Sequence, residues 1–324
     1  MTFTARAAVF AALFTLFGTT TAVATERPTT ARCQEHRFQI RVGAEDHTIA
    51  GELCVRGKLT SRTPVQVLLH GGTYDRAYWD WPYQPRHYSY VDSATRRGFA
   101  TLNIDRLGYG RSSRPNPETL DFAAGGEAVH QVVQRLRRGA VGPRFRTIVL
   151  NGHSMGGLVA ERAAARGGID AVIVSGIPRD RPGERSAAPA SPFHPAEQDP
   201  KFAGKPWAPG YLTTRPGTRA ETFHHEGAYD PAIIPVEEAL KDTLAAAELR
   251  AVGPGSMRTR SAETPTTYVL GEHDTLICGP SACTGQDADH VVRGSGHSLN
   301  TGLAAPGFYR WTFAWLARQG IHGR

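Results

Sequence analysis

Long apolar stretches are missing from this chain of 324 residues. The longest near its start, residues 7–17, covers about 11 residues where a membrane span needs about 20, so no segment is expected to cross a bilayer. Internal repeats are missing too, which excludes solenoids and propellers. No stripe of Lys and Arg interleaved with aromatics stands behind the net charge of +7. The positive residues are mostly arginines scattered along the chain, so nucleic acid is not an expected partner. No H-E-x-x-H run occurs and the four cysteines contain no C-x-x-C pair, so no metal or other cofactor is expected. What remains, 40% hydrophobic and 21% charged, is ordinary globular material, enough for one large α/β domain or two small ones.

The N-terminus reads as a secretory leader. Arg6 is the only charge in residues 1–24, residues 7–17 form a short apolar core, and Ala22-Val23-Ala24 has the A-x-A form of a cleavage site. Cleavage after Ala24 would leave residues 25–324, with the net charge lowered from +7 to +6 by the loss of Arg6, no stable membrane anchor, and a secreted destination. An exported chain meets an oxidising compartment, where Cys33, Cys54, Cys278 and Cys283 permit three pairings. Cys33 and Cys54 flank two alternating segments, residues 36–42 and 47–55, that read as a β-hairpin, so a bridge there would staple its open end. Cys278 and Cys283 bracket Gly279-Pro280, just past Asp274. Pairing of these neighbours is expected, with cross-pairing or free buried thiols as the alternatives.

Along the mature chain, short apolar runs at 65–69, 99–104, 147–150, 171–175, 266–270 and 291–292 suit buried strands. Helical spacing is expected near 88–97, around Ala128, Val129, Val132, Val133 and Leu136, behind position 154, and over 306–318. Strands alternating with helices imply a parallel sheet covered on both faces. Between about 178 and 255 the regularity breaks into a segment rich in Pro, Arg and Ala, with one helix expected near 235–251. A structureless loop of that length would be unusual, so a partly helical insertion over a site is expected, dividing a core of about 36–177 and 256–318.

One stretch organises the rest. Leu150-Asn151-Gly152-His153-Ser154-Met155-Gly156-Gly157 sets a small nucleophile between glycines, after an apolar strand and before a helical pattern. On such a turn the Ser154 side chain would be lifted from the sheet while the Met155 N–H faces a developing negative charge. A serine hydroxyl is a poor nucleophile at neutral pH and needs a histidine base, itself held by a carboxylate. Asp274 and His297 each follow a strand-like run and would project from the same sheet edge, where open α/β sheets place their sites. Asp180 and His290 are the alternatives for acid and base. His70 is read as supporting its loop, Asp105 as structural, and His224-His225-Glu226 as surface of the insertion.

The order Ser154, Asp274, His297, with His70-Gly71-Gly72 after an early strand and Asp105-x-x-Gly108-x-Gly110-x-Ser112 after the next, resembles the α/β-hydrolase superfamily, in particular its secreted esterase- and lipase-like members with a lid insertion. The resemblance spans residues 36–318. It implies an α/β-hydrolase fold, with a mostly parallel central sheet, an N-terminal β-hairpin, helices on both faces and a partly helical lid. It further implies a Ser154 nucleophile, a His297 base and acid, an Asp274 orienter, and an oxyanion hole from the Met155 N–H with that of Gly72, or alternatively Thr73. Superfamily members that open epoxides or displace halide use an aspartate at the position of Ser154, so acyl transfer to water is expected instead. The aromatic loop after His70 offers Tyr74, Trp79 and Trp81 as walls for a hydrophobic ester, lipid or lactone, acted on by a monomer. The alternatives are an acyltransferase or peptidase on the same three residues, or a binding protein that keeps the fold without turnover.

Overall fold

A computed structural model describes residues 1–2, 30–179, 191–252 and 263–323. The expected leader, beyond its first two residues, and Asp180 lie outside them. The first described elements make an antiparallel hairpin, β1 (Arg32–Val42) and β2 (Glu45–Val55), in which Cys33 faces Cys54 directly and is bridged to it. Then come β3 (Val65–Leu69), two short helices α1 (Pro85–Tyr88) and α2 (Tyr90–Arg96), β4 (Ala100–Ile104) and the long α3 (Phe122–Arg138). Ser89 divides the expected helix at 88–97, because its extended backbone ends α1 while its hydroxyl caps α2 by accepting the Asp92 N–H. β5 (Ile148–His153), α4 (Met155–Ala164) and β6 (Ala171–Ser175) follow.

Among the described residues, the segment between the two parts of the core holds β7 (Phe193–Pro195) and β8 (Tyr211–Thr214), then α5 (Arg219–Phe223), α6 (Ile233–Leu240), β9 (Leu244–Ala245) and α7 (Ala246–Arg250). The three strands make a small antiparallel sheet of their own. The single helix expected over 235–251 is thus broken into two. Its middle, residues 241–245, is claimed by partners elsewhere: Asp242 accepts from Arg114 and from the Gly110 N–H, the Thr243 carbonyl accepts the Thr73 N–H, and Leu244 pairs with Leu212. Tertiary bonds override the local helical pattern. The core then resumes with β10 (Thr266–Gly271), α8 (Thr275–Cys278), β11 (His290–Val292) and α9 (Ala305–Arg318).

Among the described residues eight strands form the central sheet in the order β1-β2-β4-β3-β5-β6-β10-β11, antiparallel only where β2 meets β1 and β4. Alternation along the strands divides the core into two layers. Val65, Val67, Leu69, Ile148, Leu150, Val172 and Val174 face the layer that includes α3 and α4, while Leu68, Val149, Ala171 and Ile173 face the layer of α2 and α9. All are fully buried. The carboxyl ends of β3, β5, β10 and β11 therefore share one edge, and there the loops bearing His70, Ser154, Asp274 and His297 meet. Among the described residues no helix is long and apolar enough to cross a membrane.

Candidate active site

Ser154 sits between the end of β5 and the start of α4 with φ 52° and ψ −123°. That is a strained conformation for a residue with a side chain, worth of order 1–3 kcal/mol and kept only where surroundings enforce it. The enforcement is visible. The Ser154 N–H donates to the Ser175 carbonyl at 2.6 Å, and the Ser154 carbonyl accepts from Gly157 at 2.8 Å. Both flanking glycines are sterically required: a Cβ on Gly152 would overlap the Gly156 carbonyl, and one on Gly156 would overlap the Leu69 and His70 carbonyls. The turn is tight because β3 and the start of α4 touch through backbone alone.

Asp274 follows β10, is fully buried, and caps α8 by accepting the Ile277 N–H through Oδ1. Its other oxygen, Oδ2, accepts from His297 Nδ1 at 2.8 Å. With Nδ1 carrying the proton, the lone pair of His297 belongs to Nε2. A disulfide between Cys278 and Cys283 closes the loop immediately behind Asp274, and the Cys283 N–H donates to the Glu272 carbonyl at 2.8 Å. Both sulfur pairs are those expected of sequence neighbours.

The His297 ring lies 6.0 Å from Phe223, stacked, and 4.8 Å from the His153 ring. A second cation there would oppose any charge on His297. Burial pushes His153 well below the usual histidine range and keeps it neutral, with Tyr78 stacked on it at 4.6 Å.

His70, fully buried, bonds the Gly71 carbonyl through Nδ1 at 2.9 Å and accepts the Arg106 N–H through Nε2 at 3.1 Å. It fixes the Gly71-Gly72 loop against the elbow. Gly72 is less constrained than the elbow glycines, since a Cβ there would meet the movable end of the Met155 side chain rather than backbone. Among the described hydrogen bonds the amides of Gly72 and Met155 have no acceptor, whereas the Thr73 N–H is already given to the Thr243 carbonyl at 3.2 Å. Of the two amides considered beside that of Met155, Gly72's is the one left open.

Ser154, His297, Gly71 and Gly72 line a cavity of about 460 Å³, whose walls include Met155, Leu158, Ile177, Phe223, Leu244 and Ile277. Tyr74 borders it as well. Trp79 and Trp81 do not: both are buried in the layer that α2 and α9 cover, where Trp79 packs edge-on to Tyr90. Their expected role as pocket walls is corrected to core packing, the ordinary fate of large rings with this much apolar area. The aromatics of the insertion are expected from sequence to wall the pocket together with the loop after His70, and of them Phe193 and Phe223 do line it; sequence reasoning missed Leu244 and Ile277. Of these only Ile277, three residues past Asp274, had a positional signal.

His224 is also corrected, for it is buried against Glu237 at 3.1 Å rather than lying on the surface, although Glu226 is exposed. The alternative base His290 stacks on Trp311 and does not border the cavity. Asp105 accepts the Arg76 and Arg111 amides, as a structural carboxylate does. Cys33, Glu52 and Cys54 are the one close group of metal-ligand types among the described residues, but the bridge between the cysteines occupies their sulfurs.

A model of the alpha/beta hydrolase family matches residues 66–306. No curated protein matches the chain. Among solved structures, the chain is similar to a membrane phospholipase A described as a bacterial virulence factor, at 17% identity over 88% of this chain and 86% of that one, with a TM-score of 0.54. It is also similar to a methylesterase from Arabidopsis, at 14% identity over 79% and 99% of the two chains, TM-score 0.54. An epoxide hydrolase from Vigna radiata shares 14% identity over 88% and 98%, again with a TM-score of 0.54. At these identities the likeness is one of fold.

Proposed function

The chain belongs to the alpha/beta hydrolase family, and we propose that it is a secreted serine hydrolase cleaving a hydrophobic carboxylic ester, lipid or lactone through an acyl-enzyme. The observation that carries this reading is the 2.8 Å bond from His297 Nδ1 to the buried Asp274, with His297 lining the same apolar cavity as a serine held on a strained elbow.

In this reading the substrate carbonyl carbon is attacked by Ser154 Oγ as His297 Nε2 takes the hydroxyl proton. The tetrahedral oxyanion is held by the Met155 and Gly72 N–H groups, each such donor being worth about 3–4 kcal/mol at the transition state. Asp274 balances the imidazolium, which then protonates the departing alkoxide as the carbon–oxygen bond breaks. Water, deprotonated by His297, attacks the acyl-enzyme; the acid leaves and the serine regains its proton. Epoxide opening through an ester intermediate needs a carboxylate where this chain has Ser154, so a neighbour's epoxide chemistry is not carried over. Tyr74, Phe223 and Ile277 border an acyl or alcohol pocket that offers apolar surface rather than a charged partner. Two disulfides suit an oxidising, extracellular setting.

Hydrolysis of a 4-nitrophenyl ester series of increasing acyl length tests the proposal. Turnover that favours apolar acyl groups and falls by about 10⁶ in Ser154→Ala is the expected result. Turnover that survives in Ser154→Ala would overturn it.

A further inference from the structure

Arg219 and Glu237 come from α5 and α6, outside the sheet, and both side chains are fully buried at the back of the site. Glu237 is a hub. Its Oε1 accepts from the Tyr74 hydroxyl at 3.0 Å, from the Thr301 hydroxyl at 3.0 Å and from His224 Nε2 at 3.1 Å, while Oε2 accepts from Arg219 Nε at 3.3 Å. Two of the donors, Tyr74 and Thr301, belong to the two loops on which acyl transfer would depend. Tyr74 follows the Gly71-Gly72 loop, and its hydroxyl also meets Ser298 Oγ at 2.8 Å. Ser298 and Thr301 follow His297.

Arg219 extends the hub to Thr73, whose carbonyl and hydroxyl both accept from Nη1 at 3.3 Å. Thr73 needs holding. Its φ of 57° is unusual for a β-branched residue, and it immediately follows Gly72. On the other side, the Phe223 carbonyl accepts the Ser298 N–H at 2.9 Å while its ring stacks on His297. Burial alone would raise the Glu237 carboxyl, but His224 and Arg219 hold it down at about 2, so the hub is ionised at any working pH.

We propose that Glu237 is a positioning residue, which through Arg219, Tyr74 and Thr301 holds the Gly72 amide and His297 in register across Ser154. The catalytic part of this statement rests on the reading of Ser154 and His297 given above. A change of one atom, Glu237→Gln, probes it. Because Oε1 serves three donors, the amide keeps its oxygen there and turns its NH2 toward Arg219 Nε, setting donor against donor and releasing the hold on Thr73. Misplacement of reacting groups by about 1 Å costs about 100-fold. Glu237→Gln is therefore expected to lower kcat on a short 4-nitrophenyl ester by about 10- to 100-fold, with KM changed by less than about threefold. Thr301→Val, which deletes one donor without changing shape, should follow in the same direction by about 3- to 10-fold, and decides the matter if Glu237→Gln does not fold.

A second readout needs no turnover: the strongly deshielded Nδ1 proton resonance of His297 should shift or broaden in both variants. An unchanged resonance and kcat in natively folded variants would overturn the proposal, as would a lower melting temperature with kcat intact, or a change confined to KM. A wild-type protein inactive on every ester would defeat the ester reading, while the resonance still tests the positioning.

Discussion

The elbow and the segment that covers it are both tightly determined, by opposite means. Around Ser154 the chain is fixed by backbone meeting backbone, with glycines where any Cβ would collide and fully buried aliphatic strands on either side. The covering segment is fixed by buried charge. Arg106 pairs with Glu248, Arg114 with Asp242, Arg219 with Glu237, and Lys241 with Asp199, each with both side chains largely or wholly buried. Two of these pairs, Arg106–Glu248 and Arg114–Asp242, join the segment to loops at the sheet edge; the other two tie the segment to itself, and Glu237 reaches the loops after His70 and His297 through its further bonds to Tyr74 and Thr301. Apolar packing is tolerant of small changes in shape, whereas a buried ion whose partner is removed has nowhere to put its charge. The region expected from sequence to be a lid is therefore bonded to the loops at the sheet edge.

That contrast can be broken most forcefully at Glu248, which accepts from Arg106 Nη1 at 2.5 Å and from the Tyr109 hydroxyl. Glu248→Leu should lower unfolding free energy by about 3–5 kcal/mol in urea titration, since it strands a buried guanidinium. Ile173→Val, a methylene removed from the buried sheet, should cost only about 1 kcal/mol. Equal losses would mean that the covering segment is held by packing after all.

Acid sharpens the comparison, because two buried carboxyls respond in opposite senses. Glu237 is held at about 2 against an ordinary 4.5, so its contribution is present above pH 4.5 and is lost as the pH falls toward 2. Asp75, in the loop after Tyr74, is pushed up to about 6 from 3.8, first by burial and then by Asp105. Its contribution is complete below pH 3.8 and is lost as the pH rises through 6. The melting temperature of Glu237→Gln should therefore vary less than the wild type's between pH 4.5 and 2. That of Asp75→Asn should gain on the wild type from pH 4 to pH 7. Parallel curves in either case would contradict the assigned partners.

The two disulfides give effects smaller than that of Glu248→Leu and larger than that of Ile173→Val. Closing the 21-residue separation of Cys33 and Cys54 is worth about 3 kcal/mol, and the 5-residue separation of Cys278 and Cys283 about 2 kcal/mol, by chain entropy. Activity should show the reverse order. Loss of the second bridge loosens the loop carrying Asp274, while the first only staples a hairpin at the far edge of the sheet. Thermal melts and ester turnover of the paired Cys→Ser variants check both statements.

The parallel strands were legible because a strand buried on both faces must be an unbroken apolar run, and 65–69 and 171–175 are such runs. The elbow was legible because its glycines are a steric necessity written into adjacent positions. The covering segment was not. The apparent helix over 235–251 is interrupted by bonds to Arg114, Gly110 and Thr73, more than 120 residues away. Likewise nothing local marks Glu237 as the partner of Tyr74 and Thr301. Trp79 and Trp81 misled for a related reason: an aromatic loop looks the same in sequence whether its rings line a cavity or fill a core.

The most direct measurement is intact-mass analysis of residues 25–324 after exposure to a fluorophosphonate, followed by peptide mapping, with Ser154→Ala alongside. A single adduct on Ser154, absent from the variant, is the expected result. Folded protein that takes up no adduct, or takes it elsewhere, would contradict an activated serine at the elbow.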